Sequence, residues 1–357
     1  MAWRIAPRLD ILDSVNELGS PRVPSWLGRP NPTELRTLPV PKLVDVASIG
    51  SYFESLSDPR HTRNRKHRLA DIAVIAICGI ICGCDGPTAI HRWAKHRQPW
   101  LAQHLELPNG IPSRDCIRRL LIVLKPEAFQ RCFQAWVAEA MVSDDGSPDR
   151  LVAIDGKTCR GSRVAAKDLG ALHIVSAWAS EEGIALGQVA TDAKSNEITA
   201  IPQLLKAIEL EDTIITIDAM GCQKDIVEQI VKGKGDCVIA VKNNQPKLME
   251  SIQTFFCDHL ERDLADLRYR CHETRDAGHG RIDERSYYLT KVPRDFAVGK
   301  DWPWVKAIGY AVRITEHADG TTSDEVRYYI SSRYLSGKRF GEAVRSHWGI
   351  ESMHWVL

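Results

Sequence analysis

Apolar positions along the chain follow two successive rhythms. From Val44 they recur at helical spacing, with Val44, Ile49, Tyr52, Phe53 and Leu56 on one face until Asp58-Pro59 ends the run. Leu69 to Cys84 is apolar almost throughout and predicts a buried helix, punctuated by Asp85-Gly86-Pro87. Thr88 is placed to cap a third helix carrying Ile90, Trp93 and Ala94. Ser113 caps a short basic helix, and Pro126 opens another through Phe129, Phe133, Trp136, Val137 and Ala140. Residues 43–142 therefore read as an all-α domain. Residues 1–42 carry scattered prolines without a sustained period and read as an irregular arm. The polar run 143–149 has the composition of a linker.

Beyond that run the rhythm changes. Leu151–Ile154, Ala171–Ala179 and Ile184–Ala190 predict three successive strands, the last two joined by Glu181-Glu182-Gly183 in hairpin fashion. A helix over 196–209, a strand over Thr213–Ile217, a helix over Gln223–Lys232, a strand over Cys237–Val241 and a helix over Pro246–His259 follow. Strands alternating with helices imply an α/β sheet, and the opening hairpins make it mixed. Residues 267–335 contain four alternating segments and read as a β-rich insertion. Gly337 to Val356 returns to helix.

Composition narrows the class without naming a reaction. A chain of 357 residues with 44% hydrophobic and 26% charged residues suits two or three globular domains. Net charge is +1, so nothing global announces a nucleic-acid partner. Locally, Arg60, Arg63, Arg65, Lys66 and Arg68 crowd together and suit phosphate contact or a solvated basic segment. The ten cysteines form no disulfide framework, and the close group Cys78, Cys82 and Cys84 lies in apolar surroundings that predict core packing. No signal peptide opens the chain, and the apolar run from Ile72 is too short to span a bilayer. A cytoplasmic protein without a membrane partner is the expectation.

Chemistry enters where two apolar strands run into acids. Leu-Val-Ala-Ile-Asp-Gly (151–156) ends in Asp155 and a glycine that stops the strand, and Thr-Ile-Ile-Thr-Ile-Asp (213–218) ends in Asp218. A third acid, Glu351, lies in the last helix. Hard oxygen ligands of this kind suit a pair of Mg²⁺ or Mn²⁺ ions about 4 Å apart, the arrangement used for phosphodiester chemistry. A single strand-end aspartate is more often a capping or loop residue, so the pattern alone does not name the reaction.

At these residues the sequence resembles a known family. Ala-Ile-Asp-Gly-Lys-Thr-Cys-Arg-Gly-Ser (153–162), Ile-Asp-Ala-Met-Gly-Cys-Gln (217–223), Val-Lys-Asn-Asn-Gln-Pro (241–246), Gly-His-Gly-Arg-Ile-Asp-Glu-Arg (278–285) and Arg-Ser-His-Trp-Gly-Ile-Glu-Ser-Met-His-Trp-Val-Leu (345–357) look like the motif series of the ISAs-type insertion-sequence transposases, the group of the H-repeat-associated proteins. Ser57-Asp-Pro-Arg and Leu69-Ala-Asp-Ile are similar to their amino-terminal domain. The resemblance covers residues 45 to 357. It implies a DDE-superfamily catalytic domain over 150–357, ribonuclease-H-like and interrupted by the insertion, with Asp155, Asp218 and Glu351 as catalytic and metal-binding acids. It implies cutting of transposon ends and joining of the 3′-hydroxyls to target DNA with two Mg²⁺ ions, Mn²⁺ substituting. A homodimer in a synaptic complex and association with the bacterial nucleoid belong to the same expectation.

Members continue past His-Trp-Val-Leu, so the resemblance also implies a copy truncated at its carboxyl end. A DNA-binding remnant and a plain metal-dependent nuclease stand as alternatives. Candidate DNA contacts are Lys157, Arg160, Lys242, Asn243, His279, Arg281, Arg345 and His347, together with Arg63, Arg65 and Lys66 of the basic run. Each has a bland counterpart: a surface lysine, turn chemistry at 242–245, a hairpin loop at 279–281. Trp348 could stack on a base, but packing on the sheet is its expected role.

Overall fold

The structure is a computed structural model that describes residues 46–140, 149–159, 162, 171–191, 197–278, 280–294, 296 and 299–354. The irregular arm, most of the polar run after 142, Arg160, His279 and the last three residues lie outside the described residues. The chain divides into two compact units, Met1–Gly146 and Ser147–Leu357.

The first unit is helical: α1 (Val46–Phe53), α2 (Leu69–Ile81), α3 (Pro87–His96), α4 (Gln98–Leu101), α5 (Arg114–Val123) and α6 (Pro126–Ala140). α2 is buried from Leu69 to Gly79, as its unbroken apolar run demands, and it packs against α1 and α3. Phe53 and Phe129 meet at 5.1 Å between ring centres where α1 meets α6. Ser113 caps α5 by accepting from the Cys116 amide at 3.2 Å. Thr88 caps nothing: Pro87, lacking an N–H and pre-set in φ, takes the first helical position, and Gly86 occupies the cap. Cys78 is buried as expected, but Cys82 is exposed and Cys84 half-buried, because α2 ends at Ile81. Among the described residues no helix is long and apolar enough to cross a membrane.

Among the described residues the second unit is built on one mixed sheet of nine strands in the order β3-β2-β1-β4-β5-β9-β8-β7-β6. β1 (Arg150–Cys159), β2 (Leu172–Ala179) and β3 (Ile184–Thr191) form an antiparallel meander. β4 (Thr213–Ile217) and β5 (Asp236–Val241) add in parallel to β1. This order of the first five strands, with the helices between them, fits a ribonuclease-H-like fold. The β-rich segment is β6 (Tyr269–Gly278), β7 (Arg281–Lys291), β8 (Ala307–His317) and β9 (Thr322–Ser331). It is continuous with the main sheet, because β9 pairs antiparallel with β5 from Val238↔Ser331 to Val241↔Tyr328.

Each face of the sheet has its own core. α7 (Glu197–Ala207), α8 (Lys224–Lys232) and α9 (Pro246–Leu260) supply Leu204, Ile226 and Phe256 to one, against Val152, Ile154, Ile215 and Ile239. On the other face α10 (Gly337–Ser346) seats Phe340 and Ala343 against Leu151, Ile214, Val238, Tyr287 and Tyr329. The alternation of β1 sends Leu151, Ala153, Asp155 and Lys157 to the α10 side and Val152, Ile154 and Gly156 to the α7 side.

Two further expectations need correction. β1 does not stop at Gly156 but continues to Cys159, because β2 offers an antiparallel partner the whole way, Gly156↔Val175 to Cys159↔Leu172. A Cβ at position 156 would collide with the Glu197 carboxylate and lie 2.7 Å from His173 Nε2, so the glycine makes room rather than breaking the strand. The last helix is also two: α10 ends at Ser346 and α11 runs from Gly349 to His354, with His347 and Trp348 at the break.

Candidate active site

Asp155 and Asp218 become neighbours through sheet register. β1 and β4 run parallel, and their last paired positions are Ile154↔Ile217. The next residue on each strand is an aspartate, on the same face, where β1 outruns β4 and the sheet opens. α11 packs against β1 and brings Glu351 to the same place. A cleft of about 270 Å³ is lined by all three acids, with Lys242, Arg327 and His347 around them.

Each acid is held differently. Asp218 follows β4 directly, and its Oδ1 accepts from the amides of Met220 at 3.0 Å and Gly221 at 3.4 Å. It caps the short turn Ala219–Gly221, and Oδ2 is not committed to those bonds. Asp155 is half-buried, and His354 Nδ1 lies 3.5 Å from its Oδ2. Glu351 is exposed in the first turn of α11.

Burial, followed by the negative charges of Glu197, Asp218 and Glu351, pushes the Asp155 carboxyl up to about 6. Burial pushes His354 down to about 4, with Lys157, His173 and His347 adding like-charge repulsion. At neutral pH the contact is therefore made by a neutral imidazole, whose Nε2 is buried without a hydrogen-bond partner among the described residues. The charges of Asp218 and Glu351 both bear on Asp155, and a cation between the acids would relieve that repulsion. Their donors are hard oxygens, suited to Mg²⁺ or Mn²⁺. Among the described residues no three ligand side chains are already drawn close enough to hold an ion.

This strain has a measurable sign. Asp155 moves from 3.8 toward about 6 on folding, so the native state binds more protons across that window and loses stability as pH rises through it. Two units correspond to at most about 3 kcal/mol. Asp155→Asn removes that penalty and leaves the opposing His354 contribution in place. Solvent screening at this partly exposed site leaves about half of that, ~1.5 kcal/mol. In EDTA at pH 7.5 the substitution is expected to raise Tm by about 3–6 °C, with almost no change at pH 4, given about 2–4 °C per kcal/mol for a unit of this size. An equal shift at both pH values would show that ionisation of the Asp155 carboxyl is not the cause.

A family model described as Transposase DDE domain matches residues 146–357. A second, described as DDE_Tnp_1-associated, matches residues 51–137. The chain belongs to the transposase DDE-domain family. Among its relatives is the candidate transposase YncI of Escherichia coli O157:H7, 37% identical over 88% of this chain and 80% of that one. The H repeat-associated candidate transposase YhhI of Escherichia coli K12 is 35% identical over 88% of this chain and 83% of its own. YbfD of the same strain, also H repeat-associated, is 34% identical over 70% and 96%. These matches place the chain in the DDE superfamily and in the H-repeat-associated group.

The other sequence candidates of this transposase divide in the structure. Lys157 is exposed and two residues beyond Asp155 on the same face. Lys242 lines the cleft, and Asn243 is exposed beside it. Asn244 and Gln245 serve the turn instead, donating to the carbonyls of Ala219 at 2.6 Å and Cys222 at 2.9 Å. His347 lines the cleft with Nδ1 3.1 Å from Thr216 Oγ1. Arg281 pairs with Asp283 at 3.3 Å, and Arg345 with Asp276 at 2.7 Å. In the helical unit Arg63 and Lys66 are exposed, while Arg65 donates to the carbonyls of Arg60 and Asp58, both at 2.9 Å.

Trp348 is not core. It is 47% exposed, and the Arg327 guanidinium stands 4.6 Å from its ring centre at the cleft. Four residues escaped sequence reasoning: Arg327, His354, Glu197 and His173. The last two pair at 3.0 Å, with Thr158 Oγ1 on the other ring nitrogen at 2.9 Å. No spacing rule links them, since they come from β1, β2 and α7.

Proposed function

We propose that this transposase cuts insertion-sequence ends and joins the freed 3′-hydroxyls to target DNA by metal-dependent phosphoryl transfer. The observation that carries the reading is the convergence of Asp155, Asp218 and Glu351 on one cleft from β1, the end of β4 and α11. In this reading the three acids hold two divalent ions, Mg²⁺ with Mn²⁺ as substitute. Such ions, when bound, supply Lewis-acid activation of the attacking oxygen and neutralise charge at the leaving one.

The chain's own groups do the positioning on which phosphoryl transfer depends. Asp155 and Asp218 are fixed by sheet register, so their separation cannot drift with loop motion. Lys157 and Lys242 flank the acids and are suited to scissile-strand phosphates as point charges. His354 packs beside Asp155 and fixes its carboxylate orientation. Assembly as a dimer on paired ends belongs to the proposal, as does work at the nucleoid.

The test is a labelled-end assay with a duplex carrying the element's terminus. Expected are Mg²⁺-dependent nicking at the end and a joined product with target DNA, both absent in EDTA. Nicks without joined product would make the chain a nuclease of the same fold. Binding without either would make it a DNA-binding remnant.

A further inference from the structure

The same face of the sheet that carries the acidic cleft continues outward over β7, β8 and β9 as a field of arginines. Arg285 on β7 sits directly opposite Arg313 on β8, a like-charge cross-strand pair that costs stability unless compensated. The compensation is Asp283, whose side chain is 7% exposed. Its Oδ2 takes Arg285 at 2.8 Å and Arg281 at 3.3 Å, and its Oδ1 takes Arg313 at 2.9 Å and Thr315 at 2.7 Å. Burial opposes ionisation here, yet these hydrogen bonds and guanidinium charges hold the carboxyl down to about 2. Asp276 gathers a fourth arginine, bonding Arg285 and Arg345 at 2.7 Å each. Arg345 belongs to α10, so the field is tied to the helix that leads to Glu351. Arg327, opposite Ala311 in the next register, carries the field into the cleft and pairs with Glu325 at 2.7 Å.

Five arginines thus share three carboxylates, and the excess is positive. The carboxylate at the centre is buried beneath the guanidiniums, which hold it ionised at neutral pH. Arg281, Arg313 and Arg345 keep 47%, 35% and 51% of their side chains exposed. A knot needed only for stability would gain by replacing its charges with apolar groups. This one crowds like charges, anchors them from below and leaves their outer edges in water. Rigid guanidinium forks presented in this way match the phosphates of a polynucleotide backbone.

We propose that the Asp283-anchored arginines form a fixed track for duplex DNA, along which the backbone approaches the acidic cleft. Arg281 and Arg285 are four residues apart on one strand, about 13 Å at 3.3 Å per residue, comparable to about four steps of 3.4 Å rise along a duplex axis. The contact is sequence-independent and sets approach and register, not the choice of end. The inference rests on the transposase reading, since it takes the cleft as the destination of the DNA.

The test uses the full chain and a mixed-sequence duplex of about 40 base pairs, with affinity followed from about 50 to 200 mM salt. R281Q/R313Q/R345Q is expected to weaken binding more than ~10-fold at about 100 mM salt. It should also flatten the slope of log K against log salt by about 2–3, since each phosphate contact contributes about 0.9. Arg345→Gln alone, on an exposed side chain, should flatten it by about 1 with an unchanged Tm. Arg262→Gln is the control: it follows α9, which packs on the opposite face, and pairs with Asp266 at 3.2 Å. The proposal is overturned if both track variants keep the wild-type slope, or if Arg262→Gln flattens it equally. Failure of the wild-type chain to bind any duplex would instead overturn the transposase reading beneath it.

Discussion

Asp155→Ala is expected to abolish Mg²⁺-dependent cleavage of a labelled end, by at least ~10³-fold, while duplex affinity stays within about twofold. The size follows from position: removing an outer partner of a metal ligand costs about 10–100-fold, and Asp155 is proposed as a ligand itself. Retained binding follows from charge. A carboxylate already crowded by Glu197, Asp218 and Glu351 repels a phosphate, so its loss cannot weaken DNA binding through charge. Glu351→Ala should behave the same way. It is the sharper experiment, because Glu351 is exposed on a six-residue helix rather than fixed by sheet register. A loss of only about tenfold there, against ~10³-fold at Asp155, would move the third ligand elsewhere.

The positions of the two aspartates were legible because the signal is local. An apolar strand must end where its cover ends, and an acid there faces solvent or a ligand. That logic placed Asp155 and Asp218 without any knowledge of pairing, and β1–β4 register then made them neighbours. It misread Gly156, since a glycine after an apolar run signals an end only if nothing else needs the space. Glu197 and His173 need it, and both arrive from other elements.

The strands of the β-rich segment were visible in their alternation, whereas their continuity with the sheet was not. Alternation says that a strand has two unlike faces but not which edge it joins; that depends on β5 offering an open edge to β9. Trp348 shows the same limit. On one continuous helix its spacing suits the buried side, but the break between α10 and α11 turns it outward onto Arg327. The arginine field was the least legible of all. Arg285 and Arg313 are distant in sequence, and only the β7–β8 register sets them face to face over Asp283.

Gly337→Ala is expected to lower Tm by about 6–12 °C and to remove cleavage beyond what the lost stability explains. Gly337 is the first residue of α10, and Ser336 before it caps the helix by accepting from the Arg339 amide at 3.1 Å. A Cβ at 337 would overlap the carbonyl oxygen of Cys271, with its carbonyl carbon at 2.5 Å and its amide nitrogen at 3.0 Å. All three are backbone atoms of β6, so no side chain can swing away. Either the edge strand or the helix must shift. Overpacking of this kind costs about 1–3 kcal/mol, and a backbone obstacle puts it at the upper end, about 3 kcal/mol. At about 2–4 °C per kcal/mol that gives the stated range. The functional loss has a separate cause, because α10 leads through His347 to α11 and Glu351. A tilt at its first turn moves the third acid away from two aspartates that the sheet keeps in place. Gly278→Ala, where a Cβ meets nothing within 4 Å, is the control on the same strand and should change neither quantity. If Gly337→Ala lowers Tm as stated but cleaves normally once folded, then Glu351 is not positioned through α10.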